Sequence, residues 1–270
     1  MHIPNHTTSS TPNTPNQTRS APLDNPTPPE PTQILTFPIR PSATIADPST
    51  PNGQRWSQIL DIIQGWEGFK RLHWGRHAEE GERWRVEVVV VREKLENHYS
   101  FLTSPLYQSI QTTLLPPLLP PRKSPLDIEH LHALLSNFTQ NPSTLSSAPV
   151  TGTAIYSTTS RTGWEKTWAL WTTLVPYVPG CLGCTGGWIV DSPLNGNKEG
   201  EPKEAKEYIV YVGWESIKHH DDYHHTKDFR QKRVILAQHN TGWRGYGHVG
   251  FWYGRGTEKG EVIVIIYACL

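Results

Sequence analysis

The sequence predicts an α+β fold made of two tandem modules, and three observations carry that prediction. Strand and helix patterns run in the order β-α-β-β-α-β, and that order occurs twice. A block of matching residues recurs at one constant spacing. The 24 prolines gather in the first residues and between Pro105 and Pro149, whereas the 11 tryptophans lie almost wholly inside the periodic stretches. That distribution describes a folded core with unstructured attachments.

Taken in order, residues 1–32 are rich in Pro, Thr, Ser and Asn and carry too little apolar surface to offset the entropy of ordering. They read as a disordered leader. The first module is expected over residues 33–136. Ile34–Ile39 reads as a strand, and Ile59, Leu60, Ile62 and Ile63 mark a helix over Ser57–Trp66. Phe69–Gly75 and Trp84–Val91 follow as strands, the second a run of valines. A helix over Lys94–Leu102 stops at Ser104-Pro105, because a residue before proline is pushed out of the helical region. Leu106–Leu115 is a further helical piece, and Glu129–Leu135 reads equally as strand or helix. A polar linker occupies 137–150, and the second module 151–270 repeats the order. Its strands are Thr153–Thr158, Gly187–Val190, Tyr208–Trp214 and Gly247–Trp252, with helices at Trp164–Val175 and from Ile217. Glu261–Ala268 reads as a last, doubly buried strand that could seal a sheet edge.

The repeat is explicit. Glu93, Leu95, His98, Phe101, Ser104 and Tyr107 match Glu215, Ile217, His220, Tyr223, Thr226 and Phe229, all offset by 122 positions without a gap. Each β-α-β-β-α-β unit is the ferredoxin-like plan. One such sheet covers one face with helices and leaves the other bare, so two units in one chain are expected to pack face to face. The result is a pseudo-dimeric α/β barrel that is a monomer in chain count.

Composition narrows the function. Lys+Arg and Asp+Glu balance at 25 each, so neither a nucleic-acid face nor a polybasic membrane patch is implied. No run reaches the roughly 18 apolar residues of a membrane span, and residues 1–20 lack the apolar core of a secretory signal. Three cysteines suit a reducing compartment, and a cytoplasmic location is expected. The two glycosylation sequons at Asn5 and Asn16 carry no weight without export. Gly-x-Gly-x-x-Gly, phosphate-loop, nucleophile-elbow and His-Glu-x-x-His motifs are all missing from the sequence.

Trp214-Glu215-Ser216 at a strand end, His220 on the following helix and the Thr226…Phe229 close resemble the dimeric α/β barrel superfamily. The nearest likeness is to fungal proteins with antibiotic-biosynthesis-monooxygenase-type (ABM) domains. His98 with Ser104-Pro105-Leu106-Tyr107, and Trp74-Gly75-Arg76, are similar, so the resemblance spans roughly residues 33–270. It implies a cofactor-independent monooxygenase or oxidase of a small aromatic, a polyketide-type phenol or anthrone. The superfamily also holds haem-degrading enzymes, haem-containing chlorite dismutase-like proteins and stress-response barrels. A non-catalytic barrel that binds a small hydrophobic ligand, or serves a stress or interaction role, is therefore the alternative. Arg92 stands where the second copy has Trp214, which argues against symmetrical use of two pockets.

His98 and His220 are the candidate catalytic residues, since helical spacing turns both toward the sheet and imidazole carries protons near neutral pH. A structural histidine bonded to a carbonyl or to Glu93 and Glu215 is the other reading. Trp214, Tyr211, Trp188, His224, His248 and Trp74 are the candidate substrate-binding residues, an aromatic wall with polar tips. His219–His225 supplies only two ligands per helix face, so no metal or other cofactor is expected. Cys181-Leu182-Gly183-Cys184 is a lone pair among glycines and reads as a turn between helix and strand.

Overall fold

The computed structural model describes residues 20–79, 81, 84–125, 128–140, 145, 148–191 and 206–256, the last five by backbone alone. Eight strands close one antiparallel barrel: β1 Glu30–Pro38, β2 Phe69–His77, β3 Arg85–Arg92, β4 Glu129–Asn137, β5 Val150–Thr158, β6 Cys181–Ile189, β7 Glu207–Trp214 and β8 Asn240–Gly256. Their order round the barrel is β1-β3-β2-β8-β5-β7-β6-β4. Each half therefore contributes four strands in the same order, fourth-first-third-second. The halves meet at two seams, β2 against β8 and β4 against β6. The tandem α+β barrel expected from the sequence is the fold observed.

Helices cover the outside: α1 Pro51–Gln64, α2 Leu95–Leu102, α3 Pro105–Ser109, α4 Arg161–Leu174, α5 Ile217–His224 and α6 Lys227–Leu236. Their starts follow from capping chemistry. Thr50, Ser104, Ser160, Ser216 and Thr226 each accept a hydrogen bond from the backbone N–H three residues on. The repeated hydroxyls Ser104 and Thr226 are thus N-caps. Thr50 with Pro51 at N1 starts α1 six residues before the expected Ser57. No described helix is long and apolar enough to cross a membrane.

Strand alternation divides the core into three. Leu35, Leu72, Trp74, Val86, Val88 and Val90 face α1 in one outer layer, where Trp56 and Trp74 meet edge-on at 5.1 Å. Val150, Cys184, Trp188, Tyr208, Val210 and Trp214 face α4 in the other, against Trp164, Trp168 and Trp171. Ile34, Val89, Ala133, Ile155, Ile209, Tyr211, Val249 and Phe251 fill the barrel interior.

Four local expectations change. Cys181–Cys184 lies within β6, not in a turn, with both thiols buried and free. Its glycines mark close packing: a Cβ on Gly186 would come within 2.9 Å of the Trp168 indole. Glu129–Leu135 resolves as the strand β4. The ordered chain begins before residue 33, because Glu30 already pairs with Leu135, and Leu23 and Thr27 donate backbone hydrogen bonds to Phe138 and Asn137. Barrel closure comes from β8 on β2, whereas Glu261–Ala268 lies outside the described residues.

The interior holds a buried acid, Glu87. Tyr211 Oη donates to Glu87 Oε1 at 3.0 Å across the barrel, and His77 Nε2 lies 3.7 Å from Glu87 Oε2. Burial pushes the Glu87 carboxyl up to about 7, outweighing the Tyr211 bond that lowers it. Because the native state holds this proton and the unfolded chain releases it, the Glu87 contribution is full below pH 4.5 and declines up to pH 7. That window corresponds to about 3 kcal/mol. Glu87→Gln, which keeps an acceptor for Tyr211, is expected to remove this decline. Urea titrations of both proteins at pH 5 and pH 8 check it: the variant should gain relative stability at the higher pH.

Candidate functional site

At the β2–β8 seam three side chains connect in series. Glu79, just past β2, accepts from the backbone N–H of His248 at 2.6 Å and from its Nδ1–H at 2.9 Å. With Nδ1 donating, His248 Nε2 is an acceptor, and it receives the Nδ1–H of His220 on α5 at 2.7 Å. His220 Nε2 is left as the basic atom of the chain. Trp214 stacks flat on the His220 ring, 4.6 Å away and inclined by 19°. His224 and Tyr246 stand 4.5 and 6.1 Å from it. Beneath, Gly152 leaves the ring its place, since a Cβ there would lie 3.1 Å from His220 Cε1.

Local sequence positions each part. Ser216 caps α5, which fixes the first turn and turns His220 and Tyr223 inward. Strand alternation sends Trp214 to the helix side and leaves Gly213 on the barrel side. Burial, then the neighbouring His224 and His248, lowers the His220 pKa to about 3. The ring is neutral at neutral pH with an available lone pair. An imidazolium formed there can pass charge through His248 toward the Glu79 carboxylate, the arrangement that lets a weak base accept a proton.

The β4–β6 seam carries the same groups in another state. Asp191, just past β6, accepts from the His132 backbone N–H at 2.9 Å and from His132 Nδ1 at 2.5 Å. His98 on α2 lies beside His132, ring centroids 5.6 Å apart. Here, however, His98 Nε2 donates to Pro31 O at 3.2 Å, which leaves its Nδ1 an acceptor, and neither that atom nor His132 Nε2 has a hydrogen-bond partner. No hydrogen bond joins His98 to His132, and this series is broken. Burial, opposed by the Pro31 carbonyl, lowers the His98 pKa to about 4. Arg92 replaces Trp214 at this seam and bonds the carbonyls of Ile63, Trp66 and Glu67 instead of stacking on a histidine.

The seams also explain two glycines. A Cβ on Gly75 would lie 1.9 Å from Gly250 O, and one on Gly187 the same distance from Leu134 O. Neither position can carry a side chain without opening the barrel.

The eight residues singled out from sequence therefore divide. His220, His224, His248 and Trp214 come together at one seam. His98 sits at the other. Tyr211 faces the barrel interior, while Trp188 packs on Tyr208 and bonds Glu165, and Trp74 lies in the α1 layer. They do not wall one common pocket, because Trp74, Trp188 and Tyr211 stand on different strand faces. His98 and His220 face the helix–sheet layers instead of the barrel lumen. Glu79, Tyr246, His132 and Asp191 escaped the sequence reading. A second constant offset signals the acids: Gly75…Glu79 and Gly187…Asp191 share one spacing, 112 positions apart.

Solved structures supply the comparison. An anthrone oxidase-like protein aligns with a TM-score of 0.56 at 12% identity, covering 89% of this chain and 97% of its own. A candidate monooxygenase from Fusobacterium nucleatum aligns with a TM-score of 0.53 at 8% identity, covering 86% and 96%. This is the dimeric α/β barrel fold. At such identities the likeness concerns the barrel alone. No protein-family model matches the chain, and no curated protein matches it.

Proposed function

We propose that this barrel is a monooxygenase- or oxidase-type enzyme acting on a small electron-rich aromatic, a polyketide-type phenol or anthrone, with His220 as its base. The observation that carries the proposal is the unbroken Glu79–His248–His220 series against the Trp214 face. His220 Nε2 takes a proton from an acidic C–H of the substrate, and the carbanion reduces dioxygen. One oxygen atom becomes the product carbonyl and the other leaves as water with the two protons released from that carbon. The substrate is itself the reductant, so the scheme needs no added cofactor. In this reading the two halves are copies from an internal duplication, the seams their pseudo-equivalent sites, and only the β2–β8 seam conducts protons. The chain would work as an intramolecular pseudo-dimer in the cytoplasm, without nucleic-acid or membrane partners.

One observation favours the second reading, a non-catalytic barrel for a small hydrophobic ligand or an interaction role: side chains fill most of the lumen. Oxygen uptake with anthrone and hydroquinone substrates separates the two. His220→Gln is expected to lower kcat at least a hundredfold with the melting temperature little changed. Full uptake by the variant would remove His220 as the base, and no uptake by the native protein would favour the binding role.

A further inference from the structure

A cleft opens at the barrel end formed by the start of β1 and β2 and the end of β4. Counting its open mouth it spans ≈ 360 Å³, and within it there is room for a group the size of a water molecule. Val89, Val91 and Leu135 form apolar walls, and His73 and Thr32 reach in from neighbouring strands. His73 is only 7% exposed, yet its Nε2 has no hydrogen-bond partner. A buried imidazole nitrogen left unpaired is destabilising, and a ligand group that met it would recover that loss. His73 is on the lumen side of β2, away from the Glu79–His248–His220 series.

We propose that this cleft is a second binding site, for a small neutral ligand that buries a hydroxyl against His73 and rests an apolar body on Val89, Val91 and Leu135. The charges at the rim choose the class. Arg71 is engaged by the Glu30 carboxylate, which Lys70 also approaches at 3.6 Å, so an anion gains no unspent cation there. Arg71 lies close enough to disfavour a proton on His73, whose pKa burial lowers to about 4, so a cation is repelled. A neutral imidazole with apolar walls fits a phenol or short alcohol.

Titration of the full chain, labelled with ¹⁵N-histidine and methyl-¹³C, with phenol and separately with benzene tests the site. Phenol should give saturable shifts at the His73 ring and at the Val89, Val91 and Leu135 methyls, with benzene binding roughly tenfold more weakly. His73→Phe should weaken phenol by a similar factor and leave benzene unaffected. Equal affinity for benzene and phenol would overturn the proposal without any variant. So would saturable shifts confined to the His220 and His248 rings, or no saturable shift at all.

Discussion

Acidification from pH 7 to pH 4 is expected to destabilise the protein more than any single core truncation. Three buried histidines cause this. Burial is the largest influence on each, and it lowers His73 and His98 to about 4 and His220 to about 3, against an ordinary 6.5. Above pH 6.5 neither the native nor the unfolded chain protonates them, and their contribution is fully present. Below it the unfolded chain binds protons that the native core refuses, and stability falls by about 1.4 kcal/mol per pH unit for each histidine. By pH 4 each has cost about 3 kcal/mol, against a typical domain stability of about 5–15 kcal/mol. Glu87 works in the opposite direction over pH 4.5–7, but it is one group against three. Urea unfolding at pH 7, 5.5 and 4 measures the slope. His98→Gln, which keeps an amide donor for Pro31 O, should make it shallower; an equally steep slope in that variant would remove His98 from the explanation.

Replacing Arg92 by Met is expected to cost several kcal/mol, about 1–3 kcal/mol for each buried carbonyl left without its donor. Arg92 is fully buried, and its guanidinium donates to Ile63 O at 2.7 Å and to Trp66 O and Glu67 O at 3.1 Å. It thereby satisfies one carbonyl in the last turn of α1 and two in the turn that follows, and lies 5.2 Å over the Phe101 ring. Met fills similar space but leaves those carbonyls without donors. Lys should recover only part of the loss, because one ammonium cannot reproduce a planar fork. The urea midpoints of R92M and R92K check this; a Met variant within 1 kcal/mol of the native protein would contradict the capping role.

Much of this fold was legible because local signals agreed with it. The valine run from Val86 places alternate residues in the outer layer and the lumen, and the matched Glu, His, hydroxyl and aromatic positions set α2–α3 against α5–α6. The site was half legible. Helical spacing brought His220 and His224 to the sheet, and the aromatic character of Trp214 suggested stacking. Glu79 and His248 were harder to join, since they are 169 residues apart and meet only because β2 pairs with β8 in the closed barrel. Tyr211 and Trp188 both looked like pocket walls, since aromatic character does not say which face of a strand a residue occupies. Strand register decides that, and register comes from the seams, where Gly75 and Gly187 admit the neighbouring backbone. Of the differences between the seams, Arg92 for Trp214 was legible, whereas the bond from His98 Nε2–H to Pro31 O is announced by no spacing.

Glu79→Gln tests the proton series most directly, because Glu79 touches His248 and not His220. Oxygen uptake with an anthrone substrate, read as kcat and KM beside the melting temperature, is the measurement. A fall of at least tenfold in kcat is expected, with KM and melting temperature nearly unchanged. A variant that keeps the native kcat would show that charge does not pass from His220 through His248, and the site would have to be read as structural.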